Sequence, residues 1–134
     1  MAKLSFVLQQ NPAMIILTDP QGIIEYVNPK FTEVTGYELN EISGQTMNIL
    51  KSPNTPDELY NDLWSTILAG REWQGELQNT KKNGEQYWEH LKITPIKDHS
   101  GKIHYFVAAL EDITEKKISN NSLITSKTMI HLQV

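Results

Sequence analysis

Two turn signals in the C-terminal half constrain the fold more than any other feature of this sequence. Lys82–Gly84 and Asp98–Gly101 place Asn, Asp and Gly where short connections between antiparallel strands need them. They separate three segments with the composition of strands, at Trp73–Asn79, Gln86–Ile96 and His104–Glu111. We therefore predict three consecutive antiparallel strands joined by hairpins.

The N-terminal half begins with a similar pattern. The apolar segment Ala13–Thr18 is ended by Asp19–Gly22, which has Pro and Gly at turn positions, and Ile23–Val27 follows at once. This arrangement predicts a fourth and a fifth strand, paired as a hairpin.

Three helical segments are expected between this hairpin and the later strands. Asn28 followed by proline is a typical helix start, and a second short helix is expected at Leu39–Ile42. Thr55 and Pro56 open a longer helix, whose apolar residues have helical spacing at Leu59, Leu63, Ile67 and Leu68. The order β-β-α-α-α-β-β-β predicts the α+β class, with a five-stranded antiparallel sheet and several short helices packed on one face.

Length and composition limit the possible functions. A chain of 134 residues is enough for one domain. A net charge of −4 and a pI near 5.5 argue against binding to nucleic acid, which needs a basic face. The sequence has no cysteine and no apolar run of the roughly 20 residues that span a bilayer. We expect a cytoplasmic domain, without a nucleic-acid or membrane partner, whose chemistry comes from a bound ligand or from its surface.

Four motifs follow one another in the order of a known sensory family. They are Thr18–Asn28 with its Tyr-Val-Asn ending, Phe31–Tyr37 with the sequence FTEVTGY, Asn83–Trp88, and Glu111–Lys117 with the sequence EDITEKK. In this combination residues 6–117 resemble a PAS domain, the sensory module of histidine kinases, cyclic-dinucleotide enzymes and transcription regulators. Residues 1–5 are then an N-terminal flank and residues 118–134 a C-terminal connector or tail.

The middle of the chain resembles the flavin-associated branch of PAS domains, which includes the LOV photoreceptors and FAD-containing redox sensors. The similar segments are Gly44–Leu50, Asn54–Pro56 and Trp73–Asn79. This resemblance implies a flavin cofactor, FAD ahead of FMN. Met47 stands where LOV domains have the cysteine that attacks the flavin, and a thioether cannot form that adduct. Leu110 stands where LOV domains have a glutamine, so LOV-type signalling is not expected.

Amide and aromatic side chains are the main candidates for a ligand pocket. Asn48 and Asn79 have donors and an acceptor that match the edge of a flavin pyrimidine, although Asn is also common in turns. Trp64, Trp73 and Trp88 suit either stacking on a flat ligand or packing in the core. The other candidate cofactor-binding residues are Ile49, Leu50, His90 and Leu110.

Other chemistries find little support in the sequence. Alternation along the long strand places Trp88 and His90 on one face and Glu89 on the other, and polarity alone does not decide which face points inward. Haem-binding PAS domains generally place their histidine on the helical side of the pocket, and this chain has no histidine before His90. Motifs for nucleophilic, phosphate-binding or zinc-dependent catalysis are missing too. We expect no catalytic residue, no metal site and no enzymatic activity.

The prediction is thus a signal-transduction domain that binds a flavin as a redox sensor. The alternative is a cofactor-free module for dimerisation and signal relay. The expected partners are a second copy, contacted through the terminal segments Ala2–Val7 and Ile118–Leu132, and a histidine kinase or other output domain. Asp112 and Thr114 are the expected signal exit, because a carboxylate and a hydroxyl can hold backbone donors where a strand becomes a helix.

Overall fold

The computed structural model of the protein describes residues 13–118. Its strands are β1 Met14–Thr18, β2 Ile24–Val27, β3 Trp73–Thr80, β4 Gln86–Lys97 and β5 Ile103–Asp112. They form one five-stranded sheet in the order β2-β1-β5-β4-β3, and all neighbouring strands are antiparallel. This confirms the predicted sheet. The predicted N-terminal flank and the terminal segments expected to dimerise lie outside the described residues, except for Ile118.

The helices cover one face of this sheet. They are α1 Pro29–Thr35, α2 Leu39–Ile42, a 3₁₀ turn at Met47–Leu50, and α3 Asp57–Leu68. Residues 114–118 are also helical and continue from β5. None of the helices within residues 13–118 is long and apolar enough to cross a membrane.

The core fills the space between the helices and the inward side chains of the strands. Its fully buried members include Phe31, Ile42, Leu50, Leu63 and Ile67 from the helical side. The sheet contributes residues that alternate along each strand, and these are Met14, Ile16, Leu77, Tyr87, Leu91, Ile93, Phe106, Ala108 and Leu110. Burial of this apolar surface is what holds the helices on one face.

Asn28 joins the sheet to the first helix. Its Oδ1 accepts hydrogen bonds from the backbone N–H groups of Phe31, at 3.1 Å, and Ile15, at 2.9 Å, and its Nδ2 donates to the Ala13 carbonyl. The side chain therefore caps α1 as the sequence predicts, and it also fixes where β1 passes the helix. Asn28 is fully buried, and its bonds to the Phe31 and Ile15 N–H groups are shielded from water.

The predicted hairpin turns are present. The Asp19 carboxylate accepts from the N–H groups of Gln21 and Ile23, and Gly22 has a φ of 86°. The Asp98 carboxylate likewise accepts from the N–H groups of Ser100 and Lys102. These bonds within each turn explain why short sequence motifs were sufficient to predict it.

The third helix differs in detail from its prediction. It begins at Asp57, after Pro56, and the Thr55 hydroxyl donates to the Gln78 carbonyl of β3 at 2.9 Å instead of capping the helix. Leu63 and Ile67 are buried as expected, whereas Leu68 is 57% exposed. Leu68 follows Ile67 by one residue, which is about 100° of rotation on the helix and enough to leave the core face.

Candidate functional site

A small cavity lies between the sheet and the segment from the 3₁₀ turn to α3. Its lining combines apolar and polar side chains, namely Met47, Asn48, Leu50, Tyr60, Leu63, Trp64, Asn79, Glu89, Leu91 and Leu110. The volume is about 10 Å³, which is room for one water molecule. The cavity is thus a potential ligand site that the side chains nearly fill.

Hydrogen bonds from the loop after the 3₁₀ turn hold that turn over β3 and β4. Lys51 forms an isolated antiparallel bridge with Asn79. The Ser52 hydroxyl contacts the Gln86 side chain at 3.0 Å, and the Thr55 hydroxyl reaches β3 at the Gln78 carbonyl. These long-range bonds place Asn79 beside the turn, although the two are far apart in sequence.

Glu89 is the most unusual residue of the cavity. Its carboxyl is fully buried, and its Oε1 accepts a hydrogen bond from the Tyr87 hydroxyl at 2.9 Å. Burial raises the pKa of Glu89 to about 8, although the Tyr87 hydroxyl and the nearby Asn79 amide act to lower it. The group is therefore protonated at neutral pH. Within residues 13–118 its Oε2 has no hydrogen-bond partner.

Tyr60 and Asn79 form the second polar pair. The Tyr60 hydroxyl, on α3, donates to Asn79 Oδ1 at 3.3 Å. Burial raises the pKa of Tyr60, and the nearby Glu89 raises it further. The Lys51 ammonium lies 4.9 Å from the centre of the Tyr60 ring and pairs with the Asp57 carboxylate at 2.8 Å. Tyr60 thus links the helix to the polar end of the cavity.

Five of the residues predicted to bind a cofactor meet at this cavity. They are Asn48, Leu50, Trp64, Asn79 and Leu110. Ile49 is half-buried against the core beside the lining residue Leu50 but does not itself line the cavity. The far end of the Trp64 ring rests on Gly22, where a Cβ atom would lie only 2.3 Å from it. Gly22 therefore leaves the space that this indole occupies.

Three predicted residues lie elsewhere. Trp73 is buried at the start of β3, covers Gly75, and donates its indole N–H to Asp62 Oδ2 at 2.9 Å, so it packs in the core. Trp88 and His90 are half-buried on the outer face of the sheet, because Glu89 and its alternating neighbours point inward. The Trp88 ring instead contacts the Lys117 ammonium, at 4.4 Å.

Sequence reasoning missed several residues of the cavity, above all Glu89 and Tyr60, and it also missed Tyr87, which binds Glu89 from the same strand. A signal for Glu89 exists in the continuation of β4. Ile93 belongs to the same alternating set as Glu89, whereas the charged Lys92 belongs to the set of Trp88 and His90. Extending the comparison to these positions would have favoured the inward face for Glu89.

The predicted signal-exit residues connect β4 with the helical segment after β5. Thr114 Oγ1 accepts from the Trp88 backbone N–H at 2.9 Å, and the Trp88 carbonyl accepts from the Ile113 N–H at 2.9 Å. Asp112 Oδ1 accepts from the Thr114 N–H at 3.0 Å, and Asp112 is the cross-strand partner of Glu89. The exit segment is therefore bonded to the strand that carries Glu89.

Comparison with known proteins identifies the family. A family model for the PAS domain matches residues 12–115. The chain is 35% identical over 107 residues to a nitrogen fixation regulatory protein of Klebsiella oxytoca, and the match covers 80% of this chain and 22% of that protein. It is 31% identical over 110 residues to a blue-light-activated histidine kinase of Brucella anthropi, with coverage of 80% and 22%.

A solved structure agrees with this family. The structure of an RNA-binding Light-Oxygen-Voltage receptor superposes with a TM-score of 0.84 at 19% identity, over 98% of this chain and 38% of that chain. The two chains therefore share the fold, an antiparallel sheet with short helices on one face. The chain belongs to the PAS domain family. It spans less than a quarter of the length of the two curated relatives.

Proposed function

We propose that this PAS domain binds a flavin, FAD ahead of FMN, and acts as a cytoplasmic redox sensor that relays its state to an output domain. The observation that carries the proposal is the mixed lining of the cavity, in which the buried Asn79 and Glu89 stand among apolar walls. A planar heterocycle needs such a combination, because its edge carries donors and acceptors while its faces are apolar. The domain itself is proposed to be non-catalytic.

The side chains provide suitable partners for a flavin, but the space must open. Glu89 Oε2 is a buried polar atom without a hydrogen-bond partner among the described residues. A site that binds a polar ligand contains such an atom, because the ligand supplies the missing hydrogen bond. A volume of about 10 Å³ is too small for a three-ring heterocycle. Binding therefore requires lining side chains to move, and we propose Trp64 for this role, because it is half-buried and rests on the Gly22 turn.

Each residue then has a proposed role. Asn79 and Asn48 bind the polar edge of the ring, while Trp64, Ile49 and Leu50 form its walls. The flavin would supply reversible two-electron chemistry. Met47 lines the cavity where LOV domains have their cysteine, and its thioether favours a redox signal over a photochemical adduct. Leu110 adds an apolar contact from β5.

The proposed route to the output runs through β4. Glu89 faces the cavity, and the preceding residue, Trp88, holds Thr114 and Ile113 through its backbone. A shift of β4 on ligand binding would therefore change the bonds of Thr114 and, through it, Asp112. We propose residues 6–117 as the sensory unit and a histidine kinase as the output, in line with the name of the Brucella anthropi relative.

The alternative function is a cofactor-free PAS module for dimerisation and relay. The observation that favours it is the cavity volume of about 10 Å³. An absorption spectrum of the purified chain, with mass spectrometry of any released molecule, distinguishes the two. Flavin bands, either as purified or after addition of FAD, support the sensor. A protein that stays colourless and does not take up FAD supports the relay module.

Asn79→Ala tests the proposed contact with the flavin. Loss of the amide should weaken flavin binding about ten-fold to a hundred-fold, because ring atoms lose hydrogen bonds in a buried site. Gln74→Ala is the matched control, since Gln74 is an exposed amide of the same strand. Equal flavin affinity in both variants would contradict the placement of Asn79.

Self-association through Ala2–Val7 and Ile118–Leu132 is the proposed dimer contact. Ile118, the last described residue, is 59% exposed, so an apolar side chain begins this segment. Light scattering at high micromolar concentration should give the mass of a dimer for the full chain. A chain shortened to residues 8–117 should be monomeric, and a monomeric full chain would contradict the proposal.

A further inference from the structure

One wall of the cavity is placed by a contact between Trp64 and Gly22. Trp64 is a half-buried residue of α3 that lines the cavity, and Gly22 is buried in the turn between β1 and β2. A Cβ atom on residue 22 would lie 2.8 Å from Cζ3 of the indole and closer still to Cη2. The indole can therefore occupy its position only because residue 22 has no side chain.

The turn is the rigid partner in this contact. The Asp19 carboxylate accepts from the Ile23 N–H at 3.0 Å, and the Asp19 carbonyl accepts from the Gly22 N–H at 2.9 Å. Ile23 also forms an isolated antiparallel bridge with Thr46, just before the 3₁₀ turn. Trp64, by contrast, is a side chain that packs against the edge of the core. Partly exposed side chains change rotamer more readily than a hydrogen-bonded turn changes its backbone, so a side chain added at residue 22 should move the indole.

The size of the cavity decides the direction of this movement. The volume of about 10 Å³ holds one water molecule, so a displaced indole has no room to move inward. Leu50 and Leu63, which line the same cavity, are buried and leave no further space on that side. The indole must therefore move toward solvent, and the space that it leaves is added to the cavity.

We propose that Gly22 is a positioning residue, which keeps Trp64 in a closed position and thereby controls the entry of a ligand into the cavity. This inference rests on the flavin proposed above, because a three-ring heterocycle does not fit the closed cavity. Only molecules in which the indole has left Gly22 can then take up the ligand. Minor conformations of this kind are populated at about 0.1–10%, so the closed position should slow association by about ten-fold or more.

Gly22→Ala tests the inference in the full chain, and Gly101→Ala is the matched control. Gly22 has a φ of 86° and Gly101 a φ of 87°, and each ends a turn that begins with an aspartate, so both variants carry similar backbone strain. A Cβ atom on residue 101, however, meets nothing within 4 Å. The two variants therefore differ in the clash with Trp64.

The indole N–H resonances of the nitrogen-15-labelled chain report where the indole lies. Gly22→Ala should shift the Trp64 resonance, assigned through Trp64→Leu, and should speed its hydrogen exchange with water. The resonances of Trp73 and Trp88 should stay unchanged, since neither ring contacts Gly22. Gly101→Ala should leave the Trp64 resonance where it is in the wild type.

The rate of FAD association, followed by flavin fluorescence, measures entry into the cavity. It should rise about ten-fold or more in Gly22→Ala and stay near the wild-type value in Gly101→Ala. In a Trp64→Leu background, Gly22→Ala should change the rate no more than Gly101→Ala does, because the ring that it displaces is gone.

An unmoved Trp64 resonance in Gly22→Ala, or an association rate no higher than that of Gly101→Ala, would overturn the inference while the flavin proposal stands. FAD uptake by Gly22→Ala but not by the wild type would support both. If neither chain takes up FAD, the proposed function is overturned, and the Trp64 resonance alone decides whether Gly22 positions the indole. Should Gly22→Ala fail to fold, Trp64→Leu must speed association by itself, and an unchanged rate would overturn the inference.

Discussion

The two faces of β4 perform different tasks within a few residues. On the inner face Tyr87, Glu89 and Leu91 are buried, and they place a neutral carboxyl beside the cavity. On the outer face Trp88 binds the segment after β5, through its backbone and through a ring contact with Lys117. The inner face therefore carries the chemistry of the site, and the outer face carries the attachment of the exit segment.

The difference shows how a cavity and an exit can share one strand. Glu89 and Trp88 are joined by a single peptide bond, and Glu89 also pairs across the sheet with Asp112. A change at either face must displace the same backbone. Variants of the two faces should nevertheless differ in their effect on stability. Inner-face changes act through burial and protonation, while outer-face changes act through partly solvated contacts.

The largest expected effect is the pH dependence of stability caused by Glu89. Its pKa is about 8 in the folded state and near 4.5 when exposed, so the folded state keeps a proton that the unfolded state loses. The contribution of this group to stability should therefore be highest below pH 4.5 and should decrease as the pH rises to 8, by on the order of 5 kcal/mol. Urea unfolding across this range measures it, and Glu89→Gln should remove most of the decrease.

Tyr87→Phe compares the two faces directly. The change keeps the ring but removes the hydroxyl that donates to Glu89 Oε1, so it should destabilise the protein by about 1–3 kcal/mol. Tyr105→Phe is the matched control, because Tyr105 lies half-buried on the outer face of β5, and it should change stability by less than about 0.5 kcal/mol. Equal losses in the two variants would contradict the division between faces.

Much of the fold was predictable because its signals are local. The turns at Asp19–Gly22 and Asp98–Gly101 are held by hydrogen bonds from their own aspartates, and Asn28 caps the helix that it precedes. Amphipathic spacing likewise identified Leu63 and Ile67 as buried. In each case the residues that determine the structure are neighbours in sequence, so the pattern contains most of the information.

The site was less predictable because its determinants are long-range. Trp73 suits a ligand wall by residue type, but its indole N–H donates to Asp62, eleven positions earlier on another element. Which face of β4 points inward depends on the elements that pack against the strand. Between positions 87 and 91 each face has both aromatic and polar residues, so composition alone does not identify the inward face. A glutamate in a strand predicts an exposed side chain. Glu89 is instead buried, because its carboxyl accepts a hydrogen bond from Tyr87 and is protonated, since burial raises its pKa.

Asp112→Ala tests the exit on the outer side. Asp112 Oδ1 accepts from the Thr114 N–H, so its loss should cost about 0.5–2 kcal/mol of stability, as for other helix-start side chains. In a fusion with a kinase output, flavin affinity should stay nearly unchanged while the activity difference between flavin states becomes smaller. If only thermal stability decreases and that difference persists, Asp112 merely caps the segment.

The smallest expected effect concerns the contact between Lys117 and Trp88. The Lys117 ammonium lies 4.4 Å from the centre of the Trp88 ring and 2.9 Å from a Glu76 carboxylate oxygen. Both contacts are partly solvated, so Lys117→Met, which keeps a long apolar chain, should cost only about 0.5–1 kcal/mol. A double-mutant cycle with Trp88→Leu isolates the ring contact. The coupling energy between Lys117 and Trp88 should be positive. It should weaken little with salt if the ring contact dominates.

Lys81→Met is a control on the inner side, since the Lys81 ammonium lies 5.6 Å from the centre of the Tyr87 ring. A Lys117–Trp88 coupling of zero would mean that the outer face holds the exit segment through the backbone bonds of Trp88 alone.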